Sequence, residues 1–247
     1  MPLKVAVIGA RGRMGSEVCR AVDADPELEL VARIDQDDEL QVLVDAGTDV
    51  AVEFSTPSSV KGNVRFCLDH DVHTVVGATG LSKEDISELG ELAAGSAGNL
   101  FIAPNFAIGA VLMMRFAAAA APHFSSAEIV ERHHENKVDA PSGTALRTAQ
   151  LMNAAHDGDW VTPPDENETL AGSRGGRVDG LRIHSLRVQG SVAHQEVVLG
   201  SPGETLTIRH DSLDRSSFMP GVVLAVKKVS ELGPLTVGLE HLLDLGS

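Results

Sequence analysis

Short apolar runs rich in β-branched residues alternate with amphipathic stretches over the first hundred residues. Five runs have the length and composition of strands: LKVAVIG (3–9), LELVARID (28–35), DVAVEFS (49–55), HTVVGAT (73–79) and NLFIAPN (99–105). The stretches between them, starting with MGSEVCRAVDA, have helical periodicity. Strands that alternate with helices predict an α/β fold with a doubly wound parallel sheet of the Rossmann type.

The pattern changes after residue 105. Two helices are predicted at 108–124 and 142–158, with the strand SAEIVERHH (126–134) between them. Three further strands are predicted by the runs LRIHSLRVQG (181–190), AHQEVVLGS (193–201) and GETLTIRHDS (203–212). Their Gly-containing turns are typical of hairpin-like connections and predict a second sheet.

Two segments lie outside these sheets. Residues 218–232 return to helical periodicity, with Pro220 in the first turn. Residues 159–180 are rich in Pro, Gly and acids and predict a long loop, either mobile or folded over a site.

The composition excludes several classes of function. The formal net charge of −15 argues against a nucleic-acid or membrane-surface partner. The two cysteines, Cys19 and Cys67, are too few for a disulfide framework, and the chain shows neither a signal-peptide pattern nor an apolar stretch long enough to span a bilayer. We therefore expect a cytoplasmic globular protein.

A glycine-rich turn follows the first predicted strand. Gly9, Gly12 and Gly15 open the next helix, where glycine lets the backbone approach a pyrophosphate. Asp35 ends the second strand, where an acid accepts hydrogen bonds from an adenosine ribose and favours NADH. Arg11 and Arg13 in the loop could reach the 2′-phosphate of NADPH, so we expect NADH use with tolerance of NADPH. The plain alternatives are a strand-end aspartate and solvated loop arginines.

Two later strand ends belong to the same edge of the predicted sheet. The segments GATG (77–80) and APNF (103–106) lie where ligands gather in parallel sheets, and they could line a nicotinamide pocket. Gly77 and Pro104 could instead be simple turn formers.

The stretch IVERHHENKVDAPSGTAL (129–146) concentrates the candidate chemistry. His133 and His134 would point to opposite faces if the strand continued through both, and histidine is the usual proton donor near neutral pH. Lys137 suits a carboxylate-bearing substrate. A zinc site is disfavoured because no third ligand lies at helical or Cys-x-x-Cys spacing.

A polar turn follows this lysine. Ser142, Gly143 and Thr144 open a helix and offer backbone N–H groups and hydroxyls to an anion. An ordinary serine cap is the alternative for Ser142.

The motifs VIGARGRMG, GATG, APNFAIGAVL, HHENKVDAPSGTA and TLTIRHDSLDRSSFMPGVVLAV, in this order over nearly the whole chain, resemble the bacterial dihydrodipicolinate reductase family. The H-H-x-x-x-K-x-D-A-P-S-G-T-A block is the specific part. The resemblance implies a Rossmann domain formed by residues 1–104 and 216–247, and a second α/β domain with an open mixed sheet formed by residues 105–215. It also implies a homotetramer that reduces 4-hydroxy-tetrahydrodipicolinate, a small dicarboxylate, with NADH or NADPH and loss of water, in lysine and diaminopimelate biosynthesis.

The resemblance also implies residue roles. His133 matches the catalytic acid/base and Lys137 the catalytic lysine, which also contacts substrate. The remaining substrate positions are His134, Ser142, Gly143 and Thr144. The cofactor positions are Gly9, Ala10, Arg11, Gly12, Arg13, Met14, Asp35, Gly77, Ala78, Thr79, Ala103, Pro104, Asn105 and Phe106. This chain has Asn136 where many members have another histidine, and GATG where G-T-T-G is more usual.

Two other functions compete with this interpretation. One is a different two-domain Rossmann reductase that acts on an amino-dicarboxylate, such as an aspartate-dehydrogenase-like enzyme. The other is a non-catalytic NADH-sensing regulator, which the net charge and the absence of a helix-turn-helix pattern disfavour.

Overall fold

A computed structural model of the chain describes residues 1–162 and 167–244. The strands in these ranges are β1 (Leu3–Ile8), β2 (Leu28–Ile34), β3 (Val50–Glu53), β4 (His73–Val76), β5 (Leu100–Ile102), β6 (Ser126–His133), β7 (Gly176–Val178), β8 (Leu181–Arg187), β9 (Ala193–Ser201), β10 (Glu204–Ser212) and β11 (Leu235–Val237). The α-helices are α1 (Arg13–Ala24), α2 (Gln41–Asp45), α3 (Val60–Asp69), α4 (Lys83–Ala94), α5 (Ile108–Ala120), α6 (Gly143–Ala155) and α7 (Met219–Lys228). The chain divides into two units, one formed by Met1–Ile108 with Arg215–Ser247 and the other by Gly109–Asp214.

The first unit contains a parallel sheet. Its strand order is β2-β1-β3-β4-β5-β11, and every neighbouring pair is parallel. The order reverses between β1 and β3, and ligands of such folds bind at the carboxyl ends of the strands beside such a reversal. The strands are near-continuous apolar runs because both faces are covered, as in Val50–Glu53, where every residue is buried. The predicted Rossmann sheet is confirmed.

The second unit contains a mixed sheet in the order β10-β9-β6-β8-β7. The central strand β6 is parallel to β8 and antiparallel to β9. Ile129 on β6 packs in an apolar core with Ala149 and Met152 of α6 and with the alanine-rich end of α5. The expected open mixed sheet is confirmed.

The predicted hairpin-like connection between β8 and β9 is wrong. β6 lies between these two strands, so they are two strand spacings apart and share no hydrogen bonds. The connection at 188–192 passes the end of β6, where the Val188 N–H donates to the His133 carbonyl oxygen at 2.9 Å. This crossing brings Arg187, the last residue of β8, into register with His133.

The predicted loop at 159–180 is only partly described, because residues 163–166 lie outside the described residues. Within it, Gly176–Val178 forms β7 and pairs with β8, which corrects the loop prediction there. Trp160 is buried in the core of the second unit. Stacking on His156, with ring centroids 3.8 Å apart, explains part of this burial.

None of the helices within residues 1–162 and 167–244 combines the length and the apolar character needed to cross a bilayer.

Candidate active site

A glycine-lined turn joins β1 to α1 in the first unit. Gly9 has a φ of +81°, and a Cβ at this position would lie 2.7 Å from the Phe54 carbonyl oxygen. A Cβ at Gly15 would lie 2.1 Å from the Gly9 carbonyl oxygen, so the helix packs against the turn at backbone distance. Gly12 caps α1 without a side-chain hydrogen bond, which leaves the first turn of the helix uncapped by any side chain. These features fit a seat for a pyrophosphate, because backbone amides can approach the ligand closely.

Asp35 is tied to this glycine turn. Its Oδ2 accepts a hydrogen bond from the Arg11 N–H at 2.8 Å, and its Oδ1 accepts one from the Gln36 N–H at 2.9 Å. These backbone hydrogen bonds, that from Gln36 first, lower the pKa of the Asp35 carboxyl and keep it ionised. The Arg11 guanidinium lies 3.6 Å from Asp38, while Arg13 is exposed at the start of α1. The predicted ribose acid and the predicted glycine loop therefore lie together.

The segment after β4 is anchored by a residue that the sequence analysis missed. The N–H groups of Gly77 and Ala78 donate to the Glu53 carbonyl oxygen at 3.0 and 3.1 Å. The Glu53 side chain is buried and accepts hydrogen bonds from the Ser55 N–H and from Asn63, and burial raises its pKa. The sequence did offer a sign of Glu53, because an acidic residue stands at the end of an apolar strand, directly before Phe54.

The other predicted cofactor positions fall into two groups. The side chains of Ala10, Ala103 and Phe106 are buried in the first unit, and the Phe106 ring packs 5.8 Å from that of Phe54. The rest are exposed or partly exposed, namely Met14, Thr79, Pro104 and Asn105. The Asn105 side chain accepts a hydrogen bond from the Ala107 N–H at 2.8 Å, which fixes the turn after β5.

In the second unit, a buried carboxylate organises the predicted reactive residues. Glu131 precedes His133 by two positions on β6, so both side chains lie on the face that carries Ile129. Glu131 Oε2 lies 2.5 Å from His133 Nδ1. Arg187 forms a bidentate salt bridge with the same carboxylate, with Nη1–Oε2 and Nη2–Oε1 distances of 3.0 and 2.9 Å. Glu131 and Arg187 were not predicted from the sequence; the i, i+2 spacing to His133 could have indicated Glu131, but nothing local indicated Arg187.

Burial raises the pKa of the Glu131 carboxyl, but hydrogen bonds from His133, Arg187 and Ser185 outweigh this effect and hold that pKa at about 2. Glu131 is therefore a carboxylate at any physiological pH. Because a carboxylate only accepts hydrogen bonds, His133 Nδ1 carries the proton in this contact, and Nε2 is left for a ligand.

Lys137 is paired rather than unpartnered. Its Nζ lies 2.8 and 2.9 Å from the two carboxylate oxygens of Asp139. This contact lowers the pKa of Asp139, which is largely exposed. A substrate carboxylate would have to share the ammonium with Asp139.

The polar turn at 142–144 opens α6. Ser142 is buried and caps the helix, its Oγ accepting from the Ala145 N–H at 3.2 Å, while its own N–H donates to Glu131 Oε1 at 3.2 Å. Around Gly143 a Cβ would meet nothing within 4 Å, so this N-terminal turn has open space beside it. The plain serine cap is therefore confirmed for Ser142, and the space for an anion is beside Gly143.

The expectation of opposite faces for the two histidines does not apply, because β6 ends at His133. His134 begins a turn closed by the Lys137 N–H, which donates to the His134 carbonyl oxygen at 3.2 Å. This hydrogen bond closes a turn directly after β6, and Lys137 lies at the end of that turn.

The two halves of the chain match two family models. Residues 3–106 match the model described as "Dihydrodipicolinate reductase, N-terminus", and residues 109–243 match the model described as "Dihydrodipicolinate reductase, C-terminus". The chain belongs to the dihydrodipicolinate reductase family.

Curated relatives extend over the full length of this family member. It is 54% identical over 246 residues to a protein of Streptomyces avermitilis named 4-hydroxy-tetrahydrodipicolinate reductase, with 98% of each chain covered. It is 53% identical over 248 residues to the protein of the same name from Nocardia farcinica, with 99% of this chain and all of that one covered.

A solved structure agrees with both units. It is titled dipicolinate-bound dihydrodipicolinate reductase from Paenisporosarcina sp. TG-14, and it aligns with a TM-score of 0.90 at 39% identity, covering 98% of this chain and 100% of that one. The predicted family is confirmed, and the chain is an NAD(P)H-dependent oxidoreductase. The alternatives of an aspartate-dehydrogenase-like enzyme and of a non-catalytic NADH sensor are not supported.

Proposed function

We propose that this chain reduces 4-hydroxy-tetrahydrodipicolinate to tetrahydrodipicolinate, with loss of water and oxidation of NADH or NADPH, as a step of lysine and diaminopimelate biosynthesis. The observation that carries the proposal is the convergence of an imidazole, a guanidinium and an uncrowded helix start on one buried carboxylate, Glu131, with the same guanidinium bound to the backbone of Lys137. The printed names of the relatives supply the substrate, and the dipicolinate in the solved relative is a planar dicarboxylate of the same size class.

Substrate binding is proposed to use the two kinds of positive group near His133. A ring with two carboxylates must be held at both ends to fix the position of its reacting carbon, and positioning of this kind lowers a barrier by about 7 kcal/mol or more. Lys137 supplies one charge, and the helix N-terminus formed by Ser142, Gly143 and Thr144 is proposed to hold the other carboxylate in the space beside Gly143, with Ser142 as its cap. His134 is the remaining proposed substrate contact.

His133 is proposed as the general acid. A reduced nicotinamide supplies a hydride, which the α,β-unsaturated imine formed by loss of water accepts at its β-carbon. The π electrons move toward the nitrogen, and the neighbouring α-carbon then takes a proton to restore the imine. As general acid His133 would act in its doubly protonated form, which gives the Nε2 proton to substrate while Nδ1–H stays hydrogen-bonded to Glu131.

The first unit is proposed to bind the nucleotide. The turn at Gly9–Gly15 can accommodate a pyrophosphate, because side chains at Gly9 and Gly15 would clash with backbone atoms and the start of α1 carries no side-chain cap. The residues proposed to contact the cofactor are Gly9, Ala10, Arg11, Gly12, Arg13, Met14, Asp35, Gly77, Ala78, Thr79, Ala103, Pro104, Asn105 and Phe106. The ionised Asp35 favours NADH, while Arg11 and Arg13 allow NADPH.

The decisive assay follows the oxidation of NADH with freshly prepared 4-hydroxy-tetrahydrodipicolinate. The parent enzyme should consume NADH only when the substrate is present. His133→Gln should lower kcat by about 10²-fold or more while the Kd for NADH stays unchanged. His123→Gln, which changes an exposed histidine elsewhere in the same unit, is the matched control and should retain full activity. Absence of turnover in the parent, or full activity of His133→Gln, would refute the proposal.

A homotetrameric, cytoplasmic enzyme is part of the same proposal. Light scattering coupled to gel filtration tests the tetramer, and a mass near four times 26.0 kDa is expected. A monomeric mass in an active preparation would remove the tetramer from the proposal.

A further inference from the structure

The ion pair between Glu131 and Arg187 is buried next to the proposed acid. The Glu131 side chain is fully buried, and that of Arg187 is 19% exposed. Burying such a pair brings little net stability, because desolvation offsets the attraction between the charges. The other contacts of the two side chains are therefore more informative than the pair itself.

Glu131 controls one reactive side chain directly. Its Oε2 holds His133 Nδ1 at 2.5 Å, while Oε1 accepts from the Ser142 N–H at the start of α6. A carboxylate on Nδ1 fixes the tautomer of the ring and stabilises its protonated form. Glu131 thus acts on Nδ1 of His133, whereas the substrate is proposed to meet Nε2, the other ring nitrogen.

Arg187 controls the backbone that carries the lysine. Its Nε donates to the Lys137 carbonyl oxygen at 3.2 Å, and its Nη2 donates to the Asp139 carbonyl oxygen at 2.6 Å. A planar guanidinium can satisfy a carboxylate and two carbonyls together, which a lysine ammonium cannot do with the same geometry. The turn from 134 to 139 is therefore held to the end of β8.

Resting on the proposed function, we propose that Glu131 and Arg187 are positioning residues with separable roles. Glu131 sets the orientation and tautomer of His133, and Arg187 sets the place of the Lys137 turn. On the face of the sheet that carries His133, its charged neighbours are Glu131 on β6 and Arg187 on β8, and the β9 partner of His133 is the uncharged Ala193. Lys137 and Asp139 lie in the turn that follows β6.

The first test compares the pH dependence of kcat. Glu131→Gln removes the carboxylate that holds Nδ1, so the loss of activity at high pH should begin at a lower pH than in the parent. The kcat at neutral pH should fall by roughly tenfold to a hundredfold, with the Kd for NADH unchanged. Glu131→Asp restores the charge and should return the profile toward that of the parent.

A matched control lies on the same strand. Glu128 also holds an arginine and a histidine, with Arg174 Nη2 at 2.5 Å and His184 Nε2 at 2.7 Å, but it is three residues from Glu131 and on the opposite face of β6. Glu128→Gln removes the same kind of contact and should leave the pH profile unchanged.

Arg187→Lys tests the second role. This substitution keeps a positive charge beside Glu131 but removes the hydrogen bonds to the Lys137 and Asp139 carbonyl oxygens. KM for the dicarboxylate and Kd for dipicolinate should therefore rise by about tenfold, while the pH profile stays in place. If Glu131→Gln is unstable, the double variant Glu131→Gln with Arg187→Met leaves no lone buried charge and should still show the displaced profile.

A readout without turnover separates this inference from the proposed function. The ¹⁵N NMR signals of His133, assigned by their absence in His133→Gln, should report the Nδ1-protonated tautomer in the parent and a mixture of tautomers in Glu131→Gln. Identical tautomers and kinetic profiles in both proteins would overturn the positioning role of Glu131, even in an active enzyme. An inactive parent with the expected NMR shifts would refute only the proposed function.

Discussion

The Arg11 N–H donates a hydrogen bond to Asp35 Oδ2 at 2.8 Å, so the acid that follows β2 also fixes the glycine turn that follows β1. The carboxylate expected to contact a ribose is thus tied to the turn that is proposed to bind the pyrophosphate. Removing it should affect two properties of the nucleotide site, namely the shape of the turn and the charge near the ribose.

Substitutions at Asp35 should separate shape from charge. Asp35→Asn keeps an oxygen that can accept from the Arg11 N–H but removes the charge, so the ratio of NADH to NADPH affinity should fall by about tenfold, or ~1.4 kcal/mol. Asp35→Ala loses both features and should weaken both nucleotides, NADH more than NADPH. Fluorescence titration measures the four Kd values.

Asp37→Asn is the control for Asp35, because it removes an exposed acid from the same loop. It should leave the NADH to NADPH ratio almost unchanged. Equal losses for both nucleotides in Asp35→Asn would contradict a ribose contact.

Lys137→Ala should weaken binding of dipicolinate without affecting the nucleotide. Loss of a charged hydrogen bond costs about 1.5–3 kcal/mol, which corresponds to a rise in Kd of roughly tenfold to a hundredfold. Isothermal titration calorimetry measures this Kd and that for NADH. Lys61→Ala removes a lysine that is similarly paired, with Asp85 and Glu88, but belongs to the first unit. An equal effect of the two substitutions would argue against a specific role for Lys137.

Glu131 should make the folded state sensitive to acid. Its pKa is about 2 in the folded protein and 4.5 in the reference state, so its ionised form stabilises the fold above pH 4.5. This contribution, on the order of 3 kcal/mol, is lost as the pH falls from 4.5 toward 2. Glu131→Gln should therefore be less stable at pH 7 and lose less stability on acidification.

Urea unfolding at a series of pH values between 7 and 3 measures this difference. Glu135→Gln, in the exposed turn that follows, should parallel the parent at every pH. A Glu131→Gln curve that runs parallel to that of the parent would show that the carboxylate is not preferentially ionised in the folded state.

Two glycine-to-alanine substitutions should have opposite effects. At Gly15 a Cβ would meet the Gly9 carbonyl oxygen, so Gly15→Ala should destabilise the protein by about 1–3 kcal/mol and weaken NADH binding at least tenfold. At Gly62, inside α3, a Cβ meets nothing within 4 Å, so Gly62→Ala should stabilise by about 0.5–1 kcal/mol and leave NADH binding intact. Thermal unfolding and NADH titration of both variants check this, and unimpaired nucleotide binding by Gly15→Ala would exclude the tight turn from the cofactor site.

Local patterns in the sequence predicted much of the first unit. Buried parallel strands are apolar runs, and the turn after β1 requires glycine, so both are visible in a single stretch of chain. The strand β11 and the helix α2 were missed because three and five residues are too few to establish a period.

The organisation of the second unit depends on register, which a local pattern does not contain. Arg187 lies beside Glu131 only because β8 pairs with β6 in parallel, although the two partners of the ion pair are 56 positions apart in the sequence. The sequence predicted β8 but paired it with the next strand, since hairpins are the usual connection between successive short strands. The partners of His133 therefore required the structure, whereas His133, Lys137 and Ser142 were found from one motif.

The strand β11 completes the edge of the first sheet by pairing with β5 through residues that follow it by more than 130 positions. Helix α7 packs against the segment that follows β5, where a Cβ at Gly221 would lie 2.1 Å from the Phe106 carbonyl oxygen. During synthesis on a ribosome, five strands of this sheet emerge before the other unit, but β11 is made only after that unit has been translated. Until then the β5 edge has open hydrogen-bonding groups, so the order of translation delays the native closure of this sheet until residues 235–237 have been made.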